Sequence, residues 1–387
     1  MKILKIWASF QTELKYHDHY LSEIMQEDGV ETTFLSSDKI DREFLPFLDN
    51  KTVKTGEDSY RGSRIIRLKS IEFMRKPFIT EIGKMHQELC KNNYDLVHIF
   101  GIGNPITLLA LTILKFCKKE LPVIINDHSN PNLQNMSFIG KMYYKTNIFL
   151  FSKLSDQVKL IITPNLASNN FIQKHYRVKK EKLKIIPLGY NSKIFTYDEN
   201  VKNESYKLIV GFAGKILPGK KLELLIDVLS EINDENISCE IVGLNQTETK
   251  YQQSLKEYAK NKKINISFKP LIKDPQHLAK FYNYIDLAIF PGSISITTLE
   301  ANGCGTPIIL YESIEGLEDR VYGERGFLFN TKKDLKEYIL HYQKLKQDGL
   351  IKNTLIEEES QRYSWQELSK IYLETYMNQV ASKKVEF

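Results

Sequence analysis

Short runs rich in β-branched and aromatic residues alternate with stretches of helical periodicity along this chain, and the alternation starts afresh once. The first series of runs falls at residues 2–8, 31–35, 63–68, 96–100, 123–126, 160–164 and 183–187. The second falls at 207–213, 238–242, 264–269, 287–290, 307–311 and 326–328. A strand that must be followed by a helix before the next strand can pair only in parallel, so each series predicts an α/β unit with a buried, largely parallel sheet. At 387 residues the chain is too long for one compact core and suits two such domains. Doubly wound domains of this kind take ligands at the carboxyl ends of their strands. The stretch between the series, residues 187–205, is polar, turn-rich and without periodicity, and reads as the linker.

Composition narrows the class. A hydrophobic share of 42% with 26% charged residues describes a soluble globular protein, and no apolar run reaches the roughly 18 residues a membrane span needs. The opening residues, MKILKIWASF, read as a first buried strand and not as a signal peptide. Cys90, Cys117, Cys239 and Cys304 have no C-x-x-C spacing, so reduced thiols in a cytoplasmic protein are expected. The formal charge of +6 favours anionic partners. Zinc-finger spacing and aromatic–basic ribonucleoprotein motifs are lacking, which argues against nucleic acid.

Two segments carry the chemistry. Residues 211–221 read GFAGKILPGKK and residues 291–307 read PGSISITTLEANGCGTP. Each follows an apolar run and leads into an amphipathic stretch, giving a strand, a glycine-containing loop and a helix start, the arrangement with which a chain holds a diphosphate. Lys215 and Lys220 stand beside Gly214 and Gly219, where two cations would neutralise a phosphate, and Glu300 lies one turn into the following helix. The plainer alternatives are two surface lysines and a carboxylate stabilised near a helix N-terminus.

These segments resemble the retaining sugar-nucleotide glycosyltransferases of family 4. Their Gly-Arg-Leu-x-Pro-x-Lys loop is matched by Gly214 to Lys220 with Lys215 in place of Arg, and the end of their Glu-x7-Glu stretch by Glu300, Ala301, Gly305, Thr306 and Pro307. Gly292 occupies the position of the first Glu. The resemblance implies an α/β GT-B fold, two doubly wound Rossmann-like domains facing a central cleft. Residues 1–188 would bind the acceptor and 189–364 the nucleotide sugar, with a helix over about 365–387 packing back on the first domain. It implies a UDP- or GDP-linked donor, a glycan or lipid-linked hydroxyl acceptor, and a role in glycan, polysaccharide or glycolipid synthesis. Lys215, Lys220 and His128 take the catalytic roles. Gly214, Ser293, Ser295, Ile296, Thr297, Thr298 and Glu300 take the donor. No cofactor is implied, and the absence of Asp-x-Asp removes the usual metal-holding motif. A sugar-nucleotide epimerase of the same fold and a non-catalytic sugar-nucleotide or glycan-binding protein are the rival readings.

Elsewhere the signals are thinner. His128 follows the run VIIND, where the family resemblance gives it the donor sugar, and His98 ends the preceding run, as an acceptor group or simply a packed strand end. No glycine lies between Met1 and Gly29, and Tyr16, His17 and His19 line either an acceptor pocket or a solvated face. Two histidines so spaced lack the further ligands of a zinc site. Residues 138–159 interleave aromatics with lysines, which suits a helix packing on its own domain or one lying on an anionic membrane.

Overall fold

The computed structural model describes residues 1–387 except 15–16, 41–52, 74–75, 129–135, 202, 263, 294, 313–319, 322–325, 352–360 and 386–387. The chain divides into two units, Met1–Leu188 with Trp365–Phe387, and Gly189–Ser364.

The first unit holds β1 (Lys2–Trp7), α1 (His17–Glu27), β2 (Glu31–Ser37), β3 (Gly56–Tyr60), β4 (Ser63–Leu68), β5 (Ser70–Phe73), β6 (Lys76–Ile79), α2 (Ile82–His86), β7 (Leu96–Phe100), α3 (Pro105–Cys117), β8 (Val123–Asn126), α4 (Phe138–Ser152), β9 (Val158–Thr163), α5 (Leu166–Tyr176) and β10 (Leu183–Ile185). Its sheet runs β10-β9-β8-β7-β1-β2-β4-β3, and among the described residues only the edge strand β3 is antiparallel to its neighbour. Burial on both faces explains why β7, LVHIF, and β8, VIIN, are buried at every position. Pro105 opens α3, where its missing N–H removes nothing from the helix.

The last helix, α11 (Trp365–Val385), belongs to this first unit and packs on α1. Trp365, Leu368, Tyr372 and Tyr376 recur at helical spacing and are buried, which makes one apolar face with polar tips. The two tyrosine tips are partnered: Tyr376 Oη lies 2.7 Å from His98 Nδ1, and Tyr372 Oη accepts from Asn126 Nδ2 at 3.3 Å. His98 is therefore a packed residue in the middle of β7 and not at its end as the sequence suggests, and burial pushes its pKa down to about 3, so it stays neutral.

Cys90 and Cys117 are joined as a disulfide, with Cα atoms 6.1 Å apart, where the sequence predicts separate thiols. Sequence spacing carries no sign that the segment after α2 lies beside the end of α3. Cys239 and Cys304 are buried free thiols.

The second unit contains β11 (Leu208–Ala213), α6 (Leu222–Ile232), β12 (Ile237–Leu244), α7 (Lys250–Asn261), β13 (Ile266–Pro270), α8 (Pro275–Tyr284), β14 (Leu287–Phe290), α9 (Thr297–Gly303), β15 (Ile308–Tyr311), β16 (Gly326–Phe329) and α10 (Lys332–Gln347). Among the described residues its six strands are all parallel, in the order β13-β12-β11-β14-β15-β16. The buried carboxylate of Asp286 ties the base of this sheet together. Its Oδ2 accepts from Ile209 N at 2.8 Å and Asn203 Nδ2 at 3.0 Å, and its Oδ1 pairs with Lys346 Nζ at 2.7 Å. A buried charge with this many partners is satisfied, and it aligns β14 beside β11. Among the described residues, no helix is long and apolar enough to cross a membrane.

Candidate functional site

In the second unit the chain winds one way from β11 to β12 and the other way from β11 to β14, so the loops leaving β11 and β14 separate at the carboxyl edge and open a crevice between them. The β11 loop begins at Gly214, whose φ of +151° few side chains tolerate. It then makes a 3-10 turn over Pro218–Lys220. The β14 loop meets that turn backbone to backbone: Ser293 N donates to Gly219 O at 2.8 Å, and Lys220 Nζ donates to Ser293 O at 2.6 Å. Gly292 faces the same turn, where an added Cβ would lie 2.3 Å from Gly219 O and 2.6 Å from the Lys220 carbonyl carbon. Backbone thus fills the space into which the family's first Glu would project.

Lys220 is 8% exposed, and burial, then the neighbouring Lys215, lowers its pKa to about 8. Lys215 is half-buried. Two cations held this close in a partly dry loop repel each other, and an anion beside them would relieve that cost. Glu300, in the first turn of α9, is half-buried as a residue, but its Oε2 is enclosed without a hydrogen-bond partner. Burial raises its carboxyl to about 8. Tyr282 and Cys304 pack around it; burial, then Glu300, raises the pKa of Cys304 well above its ordinary value.

The hydroxyls between these groups divide. Ser293 is exposed, and Ser295, Ile296 and Thr297 are half-buried, with Ser295 Oγ 2.6 Å from Thr297 Oγ1. Thr298 turns inward, contrary to the expectation that its hydroxyl faces a ligand. It is fully buried, donates to Ser295 O at 3.0 Å and accepts from Arg320 Nη1 at 2.6 Å. Arg320 also donates to Ser295 O at 3.0 Å, so a guanidinium that sequence reading passed over shapes this loop. Ile294 lies outside the described residues.

The first unit has its own crevice, where β1 and β7 diverge. A cavity of about 220 Å³ is lined there by Trp7, His17, Phe100, Asn126, His128 and Tyr144, among others. Trp7 stacks on Phe100 with centroids 5.0 Å apart, and the His17 and His128 rings lie 4.8 Å apart. His17 Nε2 is 2.8 Å from Asp18 Oδ2, and Lys5 Nζ is 3.4 Å from Asp18 Oδ1. Burial by itself would raise the Asp18 carboxyl, but His17 and Lys5 outweigh it and hold Asp18 below the usual carboxylate range. Lys5 was the available signal, since a lysine within a strand covered on both faces needs a buried partner. His19 points elsewhere and stacks on Phe10 at 4.5 Å, while Tyr16 lies outside the described residues. A larger hollow of about 540 Å³ in the second unit runs along Asn233–Ile237 and Ile264–Asn265, at the opposite edge of the sheet from these loops.

Residues 17–193 match the family described as Glycosyltransferase Family 4, and residues 194–362 match that described as Glycosyl transferases group 1. A probable sucrose-phosphate synthase from Thermosipho melanesiensis is 26% identical over 222 residues. That match takes in 54% of this chain and half the length of the relative. Among solved structures, sucrose-phosphate synthase from Thermosynechococcus elongatus superposes with a TM-score of 0.71 at 16% identity, covering 99% of this chain and 100% of the other. HepE from Anabaena, in complex with UDP, gives 0.71 at 17% identity over 98% and 100% of the two chains. A glycosyltransferase from Rickettsia africae gives 0.73 at 16% identity over 98% of each. At these identities the likeness shows the fold.

The contact at Gly292 has a measurable consequence. Gly292→Ala is expected to destabilise the protein by about 1–3 kcal/mol, the usual cost of forcing an extra carbon into a filled space. Chemical denaturation of the variant beside the wild type checks this, and equal stability would mean that the β11 turn is free to move away.

Proposed function

We propose that this chain, which belongs to glycosyltransferase family 4 and is a transferase of GT-B type, moves a glycosyl group from a nucleotide diphosphate to an acceptor hydroxyl with retention at the anomeric carbon. The observation that carries the reading is the pairing at one carboxyl edge of two lysines beside Gly214 with an enclosed carboxylate oxygen that lacks a partner. In this reading Lys220 and Lys215 hold the diphosphate and stabilise the charge that grows on it as the sugar bond breaks. Glu300 accepts from the ribose hydroxyls, the kind of donor its bare oxygen requires. Ser293, Ser295, Ile296 and Thr297 border the phosphate and sugar. The family resemblance assigns His128 to the donor sugar, and the leaving phosphate takes the acceptor's proton, so no side-chain base is assigned.

UDP and UDP-glucose appear with HepE in its solved complexes, which makes UDP-hexoses the first donors to try. With backbone filling the space beside Gly292, the donor sugar is held without the family's first carboxylate. Incubation with a panel of labelled nucleotide sugars in excess chelator tests the whole reading. Release of nucleotide diphosphate with transfer supports it, whereas an isomerised nucleotide sugar would identify an epimerase and binding without product a sensor. Lys220→Ala should lower turnover by roughly two to three orders of magnitude. A folded variant that keeps half the wild-type rate would remove the diphosphate role.

Proton linkage tests the same assignment at binding. With Glu300 and Lys220 both near 8 in the free protein, Glu300 carries a proton and Lys220 is charged at about pH 7. Ribose hydroxyls stabilise the ionised carboxylate, so UDP binding there should release a proton. At about pH 9 the carboxylate is already ionised and Lys220 is largely neutral, so a phosphate should draw a proton in. Calorimetric titration of UDP in buffers of different ionisation enthalpy reads the sign. Glu300→Gln should abolish the release at the lower pH and leave the uptake at the higher one.

A lipid-linked acceptor is supported by α4. Its Tyr144, Asn147 and Phe151 side faces the domain, while Phe138, Lys141, Met142, Lys145 and Phe149 recur along the exposed side, with Phe138 81% exposed. Rings and lysines so mixed suit an anionic lipid surface. The protein should therefore co-sediment with vesicles containing phosphatidylglycerol and not with neutral ones, and a Phe138→Ser/Phe149→Ser variant should lose that binding.

A further inference from the structure

A second constellation lies at the amino edge of the first sheet, the edge opposite that unit's crevice. His86 ends α2 and Cys90 stands four residues on, within a single π turn over Gln87–Lys91, and turns of this kind cluster at functional sites. Residues four apart on a helix share a face. Cys117 is the last residue of α3, and the chain turns at once through Lys118 with a φ of +52°. One imidazole nitrogen and the two sulfurs lie within 4.8 Å of one another.

Those three ligand types and their spacing match a borderline-soft divalent ion. Zinc binds thiolate sulfur at about 2.3 Å, which places two tetrahedral sulfurs about 3.8 Å apart, so once an external dithiol has given two electrons and two protons to the S–S bond, itself becoming a disulfide, small side-chain rotations bring all three groups to one centre. Cys90 and Cys117 are half-buried against the core of the first unit, whereas His86 is exposed. The thiolates would thus be shielded on the core side and a fourth position would face solvent. Lys91 follows Cys90 and Lys118 follows Cys117 in the chain, and nearby cations favour thiolate over thiol.

We propose that the reduced Cys90–Cys117 pair and His86 form a three-ligand site for zinc or a similar divalent ion, with water completing the tetrahedron. Binding converts two thiols to thiolates and releases their protons to solvent. The ion would clasp the end of α2 to the end of α3, the crossovers on either side of β7.

The test uses the full chain, reduced with a phosphine, desalted without oxygen and titrated with cobalt(II), then zinc. One cobalt per chain with a thiolate-to-cobalt charge-transfer band, displaced by one zinc, is the expected result. Cys90→Ser and Cys117→Ser should abolish the band, and His86→Ala should weaken cobalt binding at least tenfold. Should the serine variants fold poorly, the wild type decides alone: bound zinc should protect both thiols from a thiol reagent. Absence of a charge-transfer band, equal binding by the serine variants, or thiols that react at the same rate with and without zinc would each overturn the site and leave the disulfide as the pair's only role.

Discussion

Parallel pairing around a central strand is the constraint from which the rest of each unit follows. A parallel neighbour can be reached only through a crossover, so every connection after a strand emerges at the same edge. Because β1 and β11 each have neighbours reached in opposite directions, the loops beside them part there without any special sequence. The groups described at those openings, Trp7 and His128 in one unit and Lys220 and Glu300 in the other, are placed by strand order before their side chains contribute anything. Asp286 shows how firmly this order is held in the second unit, since one carboxylate binds β11, α10 and the segment before β11 to the start of β14.

Within that frame, the second unit's departure from its family pattern at Gly292 is steric. Gly292 is small because the Gly219–Lys220 backbone occupies its side-chain space. The same approach lets Lys220 reach Ser293 O and dries its ammonium. A missing carboxylate, a close pair of loops and a perturbed lysine are therefore a single event, and a side chain at 292 would undo all three.

Most strands were legible because burial on both faces leaves apolar runs such as LVHIF and LAIF that nothing else imitates. The strands missed were β3, β5 and β6, whose sequences GEDSY, SIEF and KPFI lie at sheet edges or in a two-stranded hairpin and are too polar or too short to show a period. Lys215, Lys220 and Glu300 could be singled out because they stand at fixed spacing in or just after glycine-marked loops. Arg320, Asp18 and the Cys90–Cys117 pair could not, since their meaning depends on contacts between segments far apart in sequence. Thr298 failed for a related reason: spacing gives the loop to which a hydroxyl belongs but not whether it points in or out.

The membership of α11 in the first unit sets an order of events during synthesis. A ribosome completes residues 1–188 early, yet the helix that covers α1 and partners His98 is made only after the whole of the second unit. Until that helix emerges, the apolar faces meant for Trp365, Tyr372 and Tyr376 stay open, while the second unit already has its strands and can close first. The domain made first thus finishes last, and a nascent chain must carry an uncovered surface through the entire translation of its second half.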